Sequence, residues 1–290
     1  MTRKKLITIL IIVVAFFFVI VIVRTLMDTE AVGPKVAVVD IVGTISNSET
    51  IIEQIHQYRD DTDVKAIILR IDSPGGSVAP VQEIYSELSK LNKPIVASMG
   101  GTAASGGYYI ACAADQIVAN PGTLTGSIGV IMQFMKLKGL YDKVGLDQQV
   151  VKSGKFKDVG SPVRALTEEE QQLLQATIDD VHTQFVNAIF EGRKAVAQDL
   201  TREEIGALAD GRIFSGQQAL AHNLIDRLGN LPDAIDLAAE LGGIKGKPKI
   251  ARVKPKRSLL DRLLGIEGKS IERLINNSGA SFRYELHLGD

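Results

Sequence analysis

Twice along this chain, an apolar run ends in a glycine-rich loop that leads directly into a helix. The first run, Val64-Lys-Ala-Ile-Ile-Leu-Arg-Ile71, closes with Asp72-Ser-Pro-Gly-Gly-Ser77, and Val81, Ile84, Tyr85 and Leu88 then follow at helical spacing. The second, Pro94-Ile-Val-Ala-Ser-Met99, closes with Gly100-Gly-Thr-Ala-Ala-Ser-Gly-Gly107, and an alanine-rich run from Tyr108 to Ala114 reads as its helix. Strands separated by helices pair in parallel, so this alternation predicts α/β architecture with a largely parallel sheet. Ligands in such sheets gather at the carboxyl ends of the strands, where both glycine loops fall.

Other segments extend the pattern. Lys35-Val-Ala-Val-Val-Asp-Ile-Val42 and Gln116-Ile-Val-Ala119 read as strands, and Ser46 opens an amphipathic helix through about Tyr58. Residues 128–132 and 146–152 are strand-like. Thr167-Glu-Glu-Glu170 and Thr201-Arg-Glu-Glu204 are capping boxes, predicting helices to about Gly192 and to near Asp210. Ser215 to Ala221 and Asp233 to Leu241 complete a helical carboxyl-terminal half. From Lys245 to Arg257 there are seven basic residues and no acidic one, which suits a solvated linker or an attachment to anionic lipid. Ser258 to Ile275 is amphipathic; Phe282, Tyr284, Leu286 and Leu288 alternate with polar residues, as in an edge strand or an unstructured end.

The amino terminus has a different chemistry. Leu6 to Val23 is apolar apart from Thr8 and free of charge, glycine and proline, long enough for a helix across a bilayer. Arg3, Lys4 and Lys5 precede it, which places the amino terminus in the cytoplasm and the remaining chain outside. A cleaved secretory signal is the rival reading, but the run exceeds a usual signal core and no small-x-small site follows. A formal net charge of −1 argues against a generic nucleic-acid binder. Cys112 stands alone, so no intrachain disulfide forms.

Between Met99 and Ile110, four glycines and two alanines leave almost no side-chain bulk around the hydroxyl of Ser105. Little side-chain bulk, a sharp turn and a helix start suit a nucleophilic serine whose attack creates an oxyanion, although a plain helix N-cap serine has the same local pattern. The base is less evident. His56, His182 and His222 fall in or beside helical segments, and His287 lies near the end of the tail. A lysine serves if its neutral amine is available, and Lys152, Lys155 and Lys157 cluster in one loop. No metal-ligand spacing or Walker motif is present, so neither a metal nor an organic cofactor is expected.

Asp72-Ser-Pro-Gly-Gly-Ser77, Ala104-Ser-Gly-Gly-Tyr-Tyr109, Thr125-Gly-Ser-Ile-Gly-Val-Ile131 and Ser153-Gly-Lys-Phe-Lys-Asp158, in this order, resemble signal peptide peptidase A, a family of membrane-anchored serine proteases. The similarity runs from about Val36 to Leu241. It implies a Clp-protease/crotonase-like fold behind one amino-terminal transmembrane helix. Residues 1–30 then form the cytoplasmic end and anchor, 31–243 the protease domain, and 244–290 a basic linker and tail. The resemblance puts the nucleophile on Ser105, the general base on Lys157, the lysine-orienting hydroxyl on Ser127, and the oxyanion-binding amides on Gly76 and Gly106. It also implies a ring-shaped homo-oligomer with active sites shared between subunits, no cofactor, an extracytoplasmic catalytic domain, and remnant signal peptides as substrates. Three rivals remain: a stomatin-associated protease with the same dyad, a crotonase-like acyl-CoA enzyme, and a catalytically silent scaffold.

Overall fold

The computed structural model describes residues 14–16, 18–19, 33–197, 200–253 and 283–285. The chain forms two compact units, Met1–Pro34 and Lys35–Asp290. Most of the apolar run Leu6 to Val23 lies outside the described residues, and its described pieces are helical. Among the described residues, no helix is long and apolar enough to cross a membrane.

The second unit is built on parallel strands. Strand β1 (Lys35–Val42) pairs with β2 (Val64–Ser73), and β2 pairs with β4 (Ile95–Ala104). The free edge of β4 is shared: β5 (Gln116–Ala119) lies along Val96–Ser98, and β6 (Leu124–Gly126) lies along Thr102–Ala104. β6 continues antiparallel into β7 (Ile213–Ser215), and β8 (Arg227–Leu228) pairs with β5. The sheet is thus mixed only at one edge. This mostly parallel α/β arrangement fits a Clp-protease-like fold.

The period of two along each strand separates two apolar layers. Ala37, Val39, Ile41, Ile67, Leu69 and Ile71 face helices α1 (Glu49–Asp60), α2 (Val78–Ser89), α3 (Gly106–Ala111) and α5 (Glu168–Arg193). Val36, Val38, Ala66 and Ile68 face α8 (Leu231–Leu241), through Ala234, Leu237 and Ala238. Leu69 is fully buried, and truncating such a side chain to alanine costs about 2–5 kcal/mol. The carboxyl end of α5 is fixed by a fork: Arg193 donates to both Asp226 oxygens at 2.9 and 2.7 Å, and Asp226 also accepts the Ile117 N–H at 2.6 Å. Both predicted capping boxes are present, at Thr167 for α5 and at Thr201 for α6 (Arg202–Leu208).

Several expectations are corrected. Residues 128–132 do not form a strand; the strand lies earlier, at β6, and the positive φ of Gly126 and Ser127 turns the chain off the sheet immediately after it. Residues 146–152 are also not a strand: they lie exposed and pair with no strand among the described residues, following α4 (Lys138–Val144) and its left-handed Gly145 cap. α7 (Gly216–Ala221) forms where expected. The basic stretch read as a linker carries β9 (Lys249–Arg252), which pairs in parallel with β1. The edge strand anticipated in the tail is β10 (Arg283–Glu285), antiparallel to β3 (Gly75–Ser77). His287 and the amphipathic stretch from Ser258 to Ile275 lie outside the described residues.

Candidate active site

The splitting of the sheet at β4 sets up the site. β4 ends on Ala104, and the next residue, Ser105, has φ 53° and ψ −118°, a backbone conformation that costs about 1–3 kcal/mol for a non-glycine residue. Hydrogen bonds on both sides maintain it. The Ser105 N–H donates to Gly126 O at 2.7 Å, and Ser105 O accepts the Tyr109 N–H at 2.9 Å. Tyr108, immobilised by donating to Leu224 O at 2.8 Å, and Tyr109, edge-on to Tyr85, pin the helix that follows. The Ser105 side chain is buried, and among the described residues its Oγ has no hydrogen-bond partner. Buried hydroxyls are ordinarily paired, so this strained, unsatisfied hydroxyl is a functional candidate.

Gly76 reaches the same region through a brace that motif reading did not single out. Ser73, fully buried and opposite Ala103 in the β2–β4 register, donates its hydroxyl to Gly43 O at 2.6 Å and accepts the Gly75 N–H at 3.1 Å. Its carbonyl oxygen lies 3.0 Å from where a Cβ on Gly107 would stand. Asp72 accepts the Thr102 N–H at 3.0 Å, tying the first glycine loop to the strand that leads to Ser105. On one edge of β3, Gly75 O accepts from Ile45 N and Ser77 N donates to Ile45 O, each at 2.8 Å. A Cβ on Gly76 would lie 2.1 Å from Ile45 O, so only glycine fits. The N–H of Gly76 therefore faces the opposite edge, where Tyr284 is its register partner.

Ser127, buried and with φ 49°, follows Gly126, whose carbonyl holds Ser105. The structure thus gathers Ser105, Gly106, Ser127 and the Gly76 loop. Lys157 is exposed, and among the described residues no hydrogen bond joins it to the Ser105 Oγ. It lies in a turn at the end of a projecting segment closed at its base by the Leu137 N–H on Pro162 O, at 2.7 Å. This segment exposes Met135, Leu140, Val144, Leu146, Val150 and Val151, the last 95% exposed. Lys152 pairs with Asp158 and Lys155 with Glu169, which leaves Lys157 as the lysine of the three without a carboxylate partner among the described residues. The histidines are occupied elsewhere: His56 contacts Glu87 at 2.7 Å, His182 contacts Ala209 O at 2.8 Å, and His222 packs on Phe214.

Residues 87–245 match the family model of peptidase family S49. The chain belongs to that family. A putative protease of Synechocystis is 41% identical over 249 residues, covering 84% of this chain and 88% of that protein. A putative signal peptide peptidase SppA of Enterococcus faecium is 37% identical over 193 residues, 66% of this chain and 55% of that protein. Protease 4 of Salmonella typhi is 40% identical over 200 residues, 68% of this chain but 31% of that protein. This is an S49 peptidase of the SppA type, and the matched residues run from the last turn of α2 to just past α8. Residues 35–136 also match the NfeD1b amino-terminal domain.

Proposed function

We propose that this S49 peptidase is a membrane-anchored endopeptidase in which Ser105 is the nucleophile and Lys157 the general base, acting on remnant signal peptides. The observation that carries the reading is the buried, unpartnered Ser105 Oγ at a strained strand-to-helix turn. In the reaction, neutral Lys157 removes the Ser105 proton and the alkoxide attacks a peptide carbonyl. The oxyanion is stabilised by the Gly76 and Gly106 N–H groups. The ammonium then gives its proton to the leaving amine, and water, deprotonated by the same lysine, hydrolyses the acyl-enzyme. Ser127 orients the amine.

Lys157 reaches a serine through assembly in this reading. The projecting apolar segment that carries it is of the kind that other protein surfaces cover, and a neighbouring copy of this chain would bring Lys157 to its Ser105. The apolar run at Leu6 to Val23, with basic residues before it, supports an anchor that leaves the catalytic domain extracytoplasmic. The test is hydrolysis of a fluorogenic signal-peptide fragment by the full chain in detergent, beside folded Ser105→Ala and Lys157→Ala. Both variants lose activity; survival of either activity removes that residue from the dyad.

A second reading keeps the dyad but directs it at membrane proteins. The NfeD1b match over residues 35–136 favours keeping it, since the first two glycine loops are then not peculiar to SppA-type chains. Faster cleavage of a membrane-protein segment than of signal peptides would select it.

A further inference from the structure

The carboxylate next to Lys157 in sequence is already fully engaged. Arg164 donates to Asp158 Oδ2 through Nε at 3.0 Å and to Oδ1 through Nη2 at 2.9 Å, and Lys152 also pairs with Oδ1. The other edge of Arg164 grips Glu170, with Nη1 at 2.8 Å from Oε2 and Nη2 at 2.5 Å from Oε1. Glu170 is buried and closes the capping box of α5 by accepting the Thr167 N–H at 2.8 Å. The Lys157 turn is thereby tied to the first turn of the longest helix in the unit. Lys155, two residues before Lys157, pairs with Glu169 in the same turn.

We propose that Arg164 is a positioning residue for the lysine of the dyad. It fixes the Lys157 turn on α5 and keeps the Asp158 carboxylate from pairing with the Lys157 amine. The inference rests on Lys157 serving as the base. An ammonium paired with an adjacent carboxylate gives up its proton only at higher pH, and a base must be neutral to act. Lys152 and Arg164 together saturate Asp158, and Arg164 supplies the fork that a point charge cannot. Without it, Asp158 is free to swing toward its neighbour, while Glu170 stays bound to the Thr167 N–H.

The experiment is a pH–activity profile on the full chain with a fluorogenic peptide. Arg164→Ala, Asp158→Asn, the double variant and Lys157→Ala are compared, each checked for folding and assembly. Arg164→Ala moves the acid limb of activity to higher pH and lowers the rate about tenfold at pH 7, a change expected for one pH unit. The double variant returns the limb to the wild-type position, because the competing carboxylate is gone. Asp158→Asn alone keeps the limb there. A purely structural role for Arg164 would lower the rate in both variants without moving the limb; an unmoved limb in Arg164→Ala overturns the proposal, as does a limb that stays shifted in the double variant. Activity surviving in Lys157→Ala removes the dyad reading instead.

Discussion

The Ser73 hydroxyl accepts the Gly75 N–H at 3.1 Å while donating to Gly43 O at 2.6 Å. One buried side chain thus sets the start of the loop that presents the Gly76 amide. Ser73→Ala leaves the Gly75 N–H and Gly43 O without this partner, at a cost of about 1–3 kcal/mol if water does not replace it. In the proposed mechanism, the Gly76 N–H that would serve the oxyanion then loses its fixed direction. We expect kcat to fall about tenfold with KM changed less, because the interaction strengthens at the transition state. Steady-state kinetics beside a melting curve check this, and an unchanged kcat would show that Gly76 is held without Ser73.

Tyr284 is the antiparallel register partner of Gly76, on the edge of β3 opposite Ile45. The Gly76 N–H cannot serve both the tail strand and an oxyanion. A chain ending at residue 279 should bind peptide substrate with KM lower by about threefold, since a tethered competitor acts at high effective concentration. A synthetic peptide spanning 280–290 should restore the wild-type KM when added to the truncated protein. Equal KM values with and without the tail would show that the two strands do not compete.

Much of this was legible before the structure. The near-continuous apolar runs at 35–42 and 64–71 read as strands because both faces are buried, one against α8 and the other against the main helical layer. The capping boxes at Thr167 and Thr201 worked because their two hydrogen bonds are local. Residues 146–152 misled because strand-like composition says nothing of whether a sheet edge is available, and among the described residues this segment pairs with none. Ser105 stood out through the small residues around it, and its positive φ accords with that. Ser73 and Arg164 did not, since a serine beside proline and an arginine in a loop acquire meaning only from partners brought together by folding. The Arg164–Glu170 spacing of six residues had no helical or strand periodicity to mark it.

Acid should act on the same network. Hydrogen bonds from Arg164, then from the Thr167 amide, lower the Glu170 carboxyl from its ordinary 4.5 to about 2, and Arg164 with Lys152 lowers Asp158 as well. Groups with a depressed folded-state pKa contribute stability that is complete above the unfolded value and lost as pH falls toward the folded one. Thermal stability should therefore decline between about pH 4.5 and pH 2, and Glu170→Gln, which cannot titrate, should show a shallower decline. Melting temperatures of both proteins across that range decide it; parallel slopes would place the acid sensitivity in other carboxylates.

Ser105 Oγ has no hydrogen-bond partner among the described residues and Lys157 is exposed, so the cooperation proposed for them is best tested between chains. Ser105→Ala retains the lysine, and Lys157→Ala retains the serine. Each alone should be inactive, whereas subunits of the two mixed by reversible dissociation should regain activity wherever an intact lysine meets an intact serine. For random mixing at equal amounts in a closed ring, half the subunits carry Ser105 and about half of their lysine-donating neighbours carry Lys157, so about one quarter of the wild-type rate is expected. Adding Arg164→Ala to the lysine-donating subunit should abolish most of that gain, while adding it to the serine-donating subunit should leave it intact. Recovery absent from well-mixed, assembled rings would require the dyad to form within one chain, by a movement of the 134–162 segment toward its own Ser105.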